Sequence, residues 1–128
     1  MSFDYTIAPS SGHVKVIGTG AITTSDCIQI IDRVMSDPRC SPDSTGLIDL
    51  RNAIYHPDDE AEIINIAKEM ESFQAKLHNK IAVVAKRATL LTAELFSVHV
   101  RTTTNVHIRV FTDFSAAEAF CGVASTPP

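Results

Sequence analysis

The chain has 128 residues, a formal net charge of −4 at pH 7 and 45% hydrophobic residues, a composition typical of one globular domain with its own core. Positive and negative charges are interspersed along the chain, which therefore lacks the basic stripe of a nucleic-acid-binding protein, and we expect no nucleic-acid partner.

The cysteines and the N-terminus bear on the compartment. Cys27, Cys40 and Cys121 are an odd number without CxxC spacing, and residues 1–10 lack the basic and apolar regions of a signal peptide. We therefore expect a cytoplasmic protein. No apolar run approaches the ~20 residues that a membrane-spanning helix requires, so we expect no membrane span.

The first 44 residues indicate a β-hairpin followed by a helix. Apolar and polar residues alternate at 3–8 and again at 14–18, on either side of Pro9-Ser10-Ser11-Gly12, which predicts two antiparallel strands. A helix is predicted over residues 25–36, capped by Thr23 or Thr24. Asp37-Pro38 ends it.

Residues 45–67 are the centre of the predicted fold. The apolar core of the strand, residues 47–50, is nearly continuous, as in a strand covered on both faces. The following helix is predicted to have Pro57 in its first turn, where a missing N–H costs nothing, and to keep its period to about Leu77. Lys76 falls on the polar side of that helix.

The remaining elements alternate in the same way. A buried strand is predicted over residues 81–85, a helix over 88–103 with Leu91, Leu95, Val98 and Thr102 on one side, and an edge strand over 106–111. The last helix is predicted to begin at Asp113 or at Ser115, the latter in a capping box with Glu118.

Strands that alternate with helices pair in parallel through right-handed crossovers. We therefore predict an α/β fold with a five-stranded, mostly parallel sheet, an N-terminal antiparallel hairpin strand at one edge, and four helices. Residues 1–123 form a single domain in this prediction, and residues 124–128 form a flexible tail.

Several local patterns match a known architecture. They are the hairpin into Gly18-Thr19-Gly20, the helix end Met35-Ser36-Asp37-Pro38-Arg39, the strand Leu47-Ile48-Asp49-Leu50-Arg51, the strand Lys80-Ile81-Ala82-Val83-Val84, and Arg109-Val110-Phe111-Thr112-Asp113-Phe114 before the last helix. With the element order, they resemble the SpoIIAA-like family, the STAS-type fold of anti-sigma-factor antagonists, and particularly its small bacterial STAS/SEC14-like branch. The resemblance covers almost the whole chain. It implies a superhelix of β-α turns and a role in binding a protein or a small ligand, without catalysis.

The chain departs from that family at the helix start after the central strand. In antagonists that work as phospho-switches, an Asp-Ser pair is found there and the serine is phosphorylated. Here the matching region reads His56-Pro57-Asp58-Asp59-Glu60, without serine or threonine. Three carboxylates would also repel a phosphate donor. The sequence therefore argues against a phospho-switch.

Asp49 and Arg51 lie two residues apart in the predicted strand, hence on one face and near its carboxyl end. One interpretation is a charged pair that lines a ligand cleft. The other is structural: the carboxylate pairs with the guanidinium because a buried charge needs a partner.

His56 with Asp58 and Asp59 offers an acid/base group or metal ligands. The five histidines show no HxxxH or HExxH pairing, and carboxylates in the first turn of a helix usually serve the helix dipole. We therefore expect no metal and no other cofactor.

The predicted helix 88–103 carries more apolar residues, among them Leu91, Leu95 and Phe96, than one sheet face can cover. Such a surplus indicates a subunit interface or an apolar pocket. The alternative is a helix buried on two sides.

Two functional hypotheses follow. The first is a non-enzymatic regulatory module that binds a protein partner or a small apolar ligand, with a homodimer as one form of the partnership. Its candidate contact residues are Asp49, Arg51, His56, Asp58, Asp59, Leu91, Leu95 and Phe96. The second is a small hydrolase or isomerase in which His56 or Asp58 is the general base and Arg51 binds an anion.

Overall fold

The computed structural model describes residues 2–77 and 79–122. The strands are β1 (Phe3–Ile7), β2 (Val14–Ala21), β3 (Gly46–Ile54), β4 (Lys80–Val84) and β5 (His107–Phe111). The helices are α1 (Thr24–Ser36), α2 (Glu60–Glu71), α3 (Leu90–Thr103) and α4 (Phe114–Cys121), with short 3-10 turns at Gln74–Lys76 and Arg87–Thr89. The predicted tail at 124–128 lies outside the described residues.

The strands form one sheet in the order β1-β2-β3-β4-β5. β1 is antiparallel to β2, and every other neighbouring pair is parallel. The predicted fold class is confirmed: a five-stranded, mostly parallel sheet with the antiparallel strand at one edge, together with four helices.

The helices divide between the two faces of the sheet. The larger apolar cluster joins α1, α2 and α3 to strand residues such as Val83 and Ile108; we call this side the three-helix face. The smaller cluster joins Ala117 and Cys121 of α4 to Leu47 of β3; we call this side the α4 face. Because successive strand residues point to opposite faces, each side chain of β3 belongs to one of these two environments.

The starts of two helices are fixed by aspartate caps. Asp59 caps α2 by accepting a hydrogen bond from the Glu62 N–H, which places Pro57 before the helix and not in its first turn as predicted. Asp113 caps α4 by accepting from the Ser115 N–H, so the predicted alternative cap at Ser115 is wrong. In both cases the carboxylate nearest the first free N–H groups determines where the helix begins.

A bulge lengthens β3 beyond the predicted 47–50. Gly18 of β2 lies opposite both Leu50 and Arg51 of β3, the two-against-one pairing that defines a β-bulge. A Cβ atom on Gly18 would lie 2.8 Å from Phe3 Cε1, closer than carbon atoms approach. The bulge therefore depends on a glycine at this position.

Candidate ligand-binding cavity

Helix α2 is held over the middle of the sheet by its neighbouring helices. It packs mainly against α1 on one side and α3 on the other, whereas α1 packs against β1 and α3 against β5. His99 Nε2 of α3 lies 3.5 Å from Glu60 Oε1 of α2. This arrangement leaves space between α2 and the central strands on the three-helix face.

That space is a partly open, apolar cavity of about 140 Å³. Representative lining residues are Ile48 and Val83 from the sheet, Ile31 from α1, Ile66 and Met70 from α2, and Phe96 from α3. Ile48 and Leu50 lie on the central strand, where a side chain is normally fully buried, yet both remain partly accessible. We attribute this accessibility to the cavity that both side chains border.

The volume and the lining decide what the cavity can hold. A protein cavity of ~150 Å³ lined by leucine, isoleucine and phenylalanine stays free of water and binds benzene. The cavity under α2 is of similar size, and water would find few hydrogen-bond partners along its apolar centre. It therefore has room for one aromatic ring or a short alkyl chain.

A hydrogen-bonded group closes the carboxyl end of the cavity. Tyr55, a lining residue, places its hydroxyl 2.7 Å from Thr24 Oγ1, and Thr24 donates to Glu62 Oε1 at 2.8 Å. Because Thr24 has one hydroxyl proton, Tyr55 must be the donor in its bond to Thr24. Glu62 also accepts from the Asp58 N–H. The group ties the start of α1, the segment after β3 and the start of α2 together.

The electrostatics of that group favour the same proton positions. Burial raises the pKa of the Tyr55 hydroxyl more than its hydrogen bond to Thr24 lowers it, so Tyr55 stays protonated. Bonds from the Asp58 backbone N–H and from the Thr24 hydroxyl hold the pKa of Glu62 below its ordinary value. Glu62 is therefore a carboxylate and serves as the acceptor at neutral pH.

The amino ends of β3 and β4 form the opposite end of the cavity. The polar lining residues there are Ser41, Ser44, Thr45, Lys76 and Asn79. Lys76 Nζ donates to the Met35 carbonyl oxygen at 2.6 Å. This carbonyl lies in the last turn of α1, where carbonyls have no partner within the helix. Lys76 is the one charged side chain among the described residues that line the cavity.

Asp49 and Arg51 lie away from this cavity, on the α4 face. Asp49 accepts hydrogen bonds from the backbone N–H of Arg51 at 3.1 Å, from its Nε at 2.9 Å and from its Nη2 at 2.8 Å. The Arg51 guanidinium also lies 4.4 Å from the centroid of the Phe114 ring. The ion pair of the structural interpretation is therefore present, and it satisfies a backbone N–H within the bulge.

The polar residues predicted for the site do not converge on one cleft. His56, Asp58 and Asp59 are exposed in the loop before α2, and Arg51 is engaged by Asp49 on the opposite side of the sheet. The geometry of an acid/base residue beside an anion-binding arginine is therefore not formed. A binding role for these individual side chains stays a prediction.

Helix α3 buries its small side chains and exposes two of its large apolar ones. Its buried residues include Ala93 and Ser97, whereas Leu91 is 73% and Val98 44% exposed. The side of α3 that carries Leu91 and Val98 therefore faces outward, because the small residues on the other side allow α3 to approach β5. Of the three α3 residues predicted to contact a ligand, Phe96 lines the cavity.

Sequence reasoning missed Lys76 and Tyr55 as site residues. Lys76 was assigned to the outer side of a longer helix, but α2 ends at Glu71 and the 3-10 turn that follows changes the direction of later side chains. The spacing of Phe73 and Leu77 gave no warning of this, because residues four apart lie on one face of a continuous helix.

Two thiols also border the cavity. Burial raises the pKa of Cys27 to about 12 and also raises the pKa of Cys40. Both thiols therefore stay protonated at neutral pH and serve as small apolar side chains.

Within residues 2–77 and 79–122, no three His, Cys, Asp or Glu side chains are grouped so that they could share a metal ion. In the same part of the chain, every helix is too short or too polar to cross a bilayer.

Comparison with known proteins shows which fold the chain has. The structure is similar to that of an uncharacterised protein from the DUF3478 family of Shewanella loihica PV-4, described as having a SpoIIAA-like fold, with a TM-score of 0.58 and 11% sequence identity over 93% of this chain and 91% of that one. Neither a family model nor a curated protein matches the sequence. At this identity the likeness concerns the fold, and it confirms that the chain has a SpoIIAA-like fold.

Proposed function

We propose that this protein is a non-enzymatic binding module that takes up a small apolar molecule between α2 and the sheet. The observation that carries the proposal is the apolar cavity of about 140 Å³ beneath α2. An empty cavity of this size costs about 3 kcal/mol of stability. An apolar ligand would recover part of that cost.

The surroundings of the cavity support binding over the alternative of a hydrolase or isomerase. Its centre is lined by aliphatic and aromatic side chains, which offer no group for proton transfer. The candidate bases His56 and Asp58 are exposed. Arg51, the arginine predicted to bind an anion beside them, is engaged by Asp49 on the α4 face.

The regulatory character of the module is part of the same proposal. The SpoIIAA-like fold and its resemblance to bacterial antagonists support a cytoplasmic regulator, but the loop at 56–60 carries no serine or threonine. Occupancy of the cavity would then replace phosphorylation as the signal. The signal of an occupied cavity would be transmitted through α2, because the first turn of α2 is joined to Tyr55 through Thr24.

Benzene is a suitable probe of the cavity, because a ligand that binds only the folded state raises the melting temperature. We expect benzene to stabilise the native chain and to shift the NMR signals of Ile48 and Phe96. Ala93→Leu extends a side chain from the wall of the cavity and should abolish the stabilisation. The matched control is Ala119→Leu, an exposed position on α4. Equal stabilisation of the two variants, or none in the native chain, would contradict the proposal.

A second candidate function is self-association through α3. Leu91, Leu95 and Val98 lie at positions i, i+4 and i+7 on the outer side of the helix; we call them the α3 stripe. Leu91 and Val98 are among the most exposed large apolar side chains of the described residues, and Leu95 is half-buried. Exposed apolar side chains on one side of a helix favour a protein contact. We propose a second copy of the chain as the partner.

A further inference from the structure

We propose that the ligand of the cavity is a short-chain carboxylate whose apolar tail lies beneath α2 and whose carboxylate binds Lys76 Nζ. This inference rests on the proposed function, because it names the chemical class of molecule that the same cavity would take.

The charge of the amino end supports an anion. Lys76 is half-buried and is the one charged side chain among the described lining residues. Within residues 2–77 and 79–122, no ion pair joins Lys76 to an aspartate or glutamate. A partly buried ammonium group is stabilised by a counter-charge, and a ligand carboxylate would supply one.

The hydrogen-bond capacity of Lys76 is also incompletely used. An ammonium group has three N–H donors, and one of them is directed at the Met35 carbonyl oxygen. The bond to Met35 fixes the position of Nζ at the end of the cavity. The remaining donors can reach a carboxylate without breaking the contact that stabilises the end of α1.

The neighbouring polar groups suit the same head group. Ser41 and Ser44 line this end, with their hydroxyl oxygens 3.4 Å apart, and a hydroxyl can donate to a carboxylate. No aspartate or glutamate is among the described lining residues, so nothing in the lining repels an anion. An amine would instead be repelled by Lys76.

The apolar part of the cavity limits the tail. The volume of about 140 Å³ is similar to that of the ~150 Å³ cavity that binds benzene, which corresponds to a tail of about six carbon atoms. The positive charge of Lys76 lies at one end of this apolar space, so an amphiphile with its charge at one terminus fits better than a hydrocarbon.

The test compares hexanoate with hexan-1-ol by isothermal titration calorimetry, since the two molecules share a six-carbon chain and differ in charge. We expect the native chain to bind hexanoate at least about tenfold more tightly, because hydrogen bonds to charged groups are stronger than neutral ones. Lys76→Met keeps the apolar stem and removes the charge; it should abolish this preference while hexan-1-ol still binds. Lys76→Arg should retain the preference.

The outcomes separate this inference from the proposed function. Equal affinities of the native chain for hexanoate and hexan-1-ol would overturn the carboxylate assignment and leave the apolar cavity supported. Absence of binding of either molecule would overturn both. Retention of the hexanoate preference in Lys76→Met would overturn the role of Lys76. Because hexan-1-ol binding reports an intact cavity, loss of the Met35 contact cannot be mistaken for loss of the head-group site.

Discussion

Asp49 stabilises the fold, although its position near the end of the central strand also suggested a ligand site. Asp49 is 6% exposed and its carboxylate lies on the α4 face. Burial raises its pKa, but hydrogen bonds from the Arg51 side chain and backbone outweigh burial and bring the pKa below the ordinary value of 3.8. A lowered pKa means that the folded state favours the carboxylate form.

The stability contribution of Asp49 therefore depends on pH in a defined direction. It is fully present above the ordinary pKa and is lost as the pH falls through the lower pKa of the folded state. We expect Asp49→Asn to lower the free energy of unfolding by about 1–2 kcal/mol at neutral pH, a modest figure because Arg51 is partly exposed. Urea unfolding of native and variant chains should show this difference shrinking below about pH 4.

The control for this prediction is Asp4→Asn, an exposed carboxylate on β1, which should change stability little at any pH. A difference for Asp49→Asn that stays constant from neutral pH to about pH 3 would contradict the assigned role of the ion pair. Hexanoate affinity should be unchanged in Asp49→Asn, because the side chain lies across the sheet from the cavity.

At this scale the sequence predicted the Asp49–Arg51 pair, because a spacing of two in a strand places both side chains on one face. It did not predict Lys76. The direction of that side chain depends on where α2 ends and on the 3-10 turn at Gln74–Lys76, and the boundaries of helices are less strongly encoded than their periods.

At the scale of single elements, the bulge in β3 depends on its partner strand. Gly18 lies under the bulge, and a Cβ there would be 2.8 Å from Phe3 Cε1 and 3.2 Å from Leu50 Cδ2. Gly46, at the start of β3, has its nearest neighbour, Ile81 Cγ1, at 3.6 Å. Neither glycine has a positive φ angle, so the two positions differ in the space available for a Cβ atom.

We therefore expect Gly18→Ala to lower the free energy of unfolding by about 1–3 kcal/mol, since Phe3 or β2 must move. Gly46→Ala is the matched control, and it should be neutral or stabilise the chain by up to about 1 kcal/mol through reduced freedom of the unfolded state. Chemical denaturation of both variants measures the difference. Equal stabilities would show that the bulge accommodates a methyl group.

Helix α3 shows why the existence of an element is easier to predict than its orientation. The apolar residues of α3 predicted a helix over nearly the observed range, Leu90–Thr103. Apolar residues occur around most of its circumference, however, so hydrophobicity alone did not select a buried side. The small side chains of Ala93 and Ser97 selected it, because they allow close approach to the sheet.

At the scale of the whole molecule, the alternation of strands and helices was sufficient to predict the fold class, a mostly parallel sheet with one antiparallel strand at its edge. It was not sufficient to predict the cavity. Residues such as Ile66 and Val83 would produce the same apolar pattern in the sequence whether their side chains contact one another or border a cavity. Whether α2 rests on the strands or is supported by α1 and α3 depends on three-dimensional packing, which a period in the sequence does not encode.

Self-association is a property of the molecule as a whole, and the outward-facing side of α3 gives it a specific surface. The α3 stripe lies on the outer side of α3, with Leu91 73% exposed. Burying such side chains against a second copy would contribute roughly 1.5–3 kcal/mol for each fully buried leucine. We expect the native chain to form dimers, and Leu91→Gln to raise their dissociation constant at least about tenfold.

The stability of the isolated subunit should be unaffected by Leu91→Gln, because the side chain is largely in water in the monomer. Size-exclusion chromatography with light scattering over a range of concentrations measures the dissociation constant. The control is Ile17→Gln, which removes another exposed apolar side chain, 37% exposed and on the α4 face, and should leave dimerisation intact. A native chain that stays monomeric at the highest concentration would exclude self-association through the α3 stripe and leave the apolar cavity as the remaining candidate site.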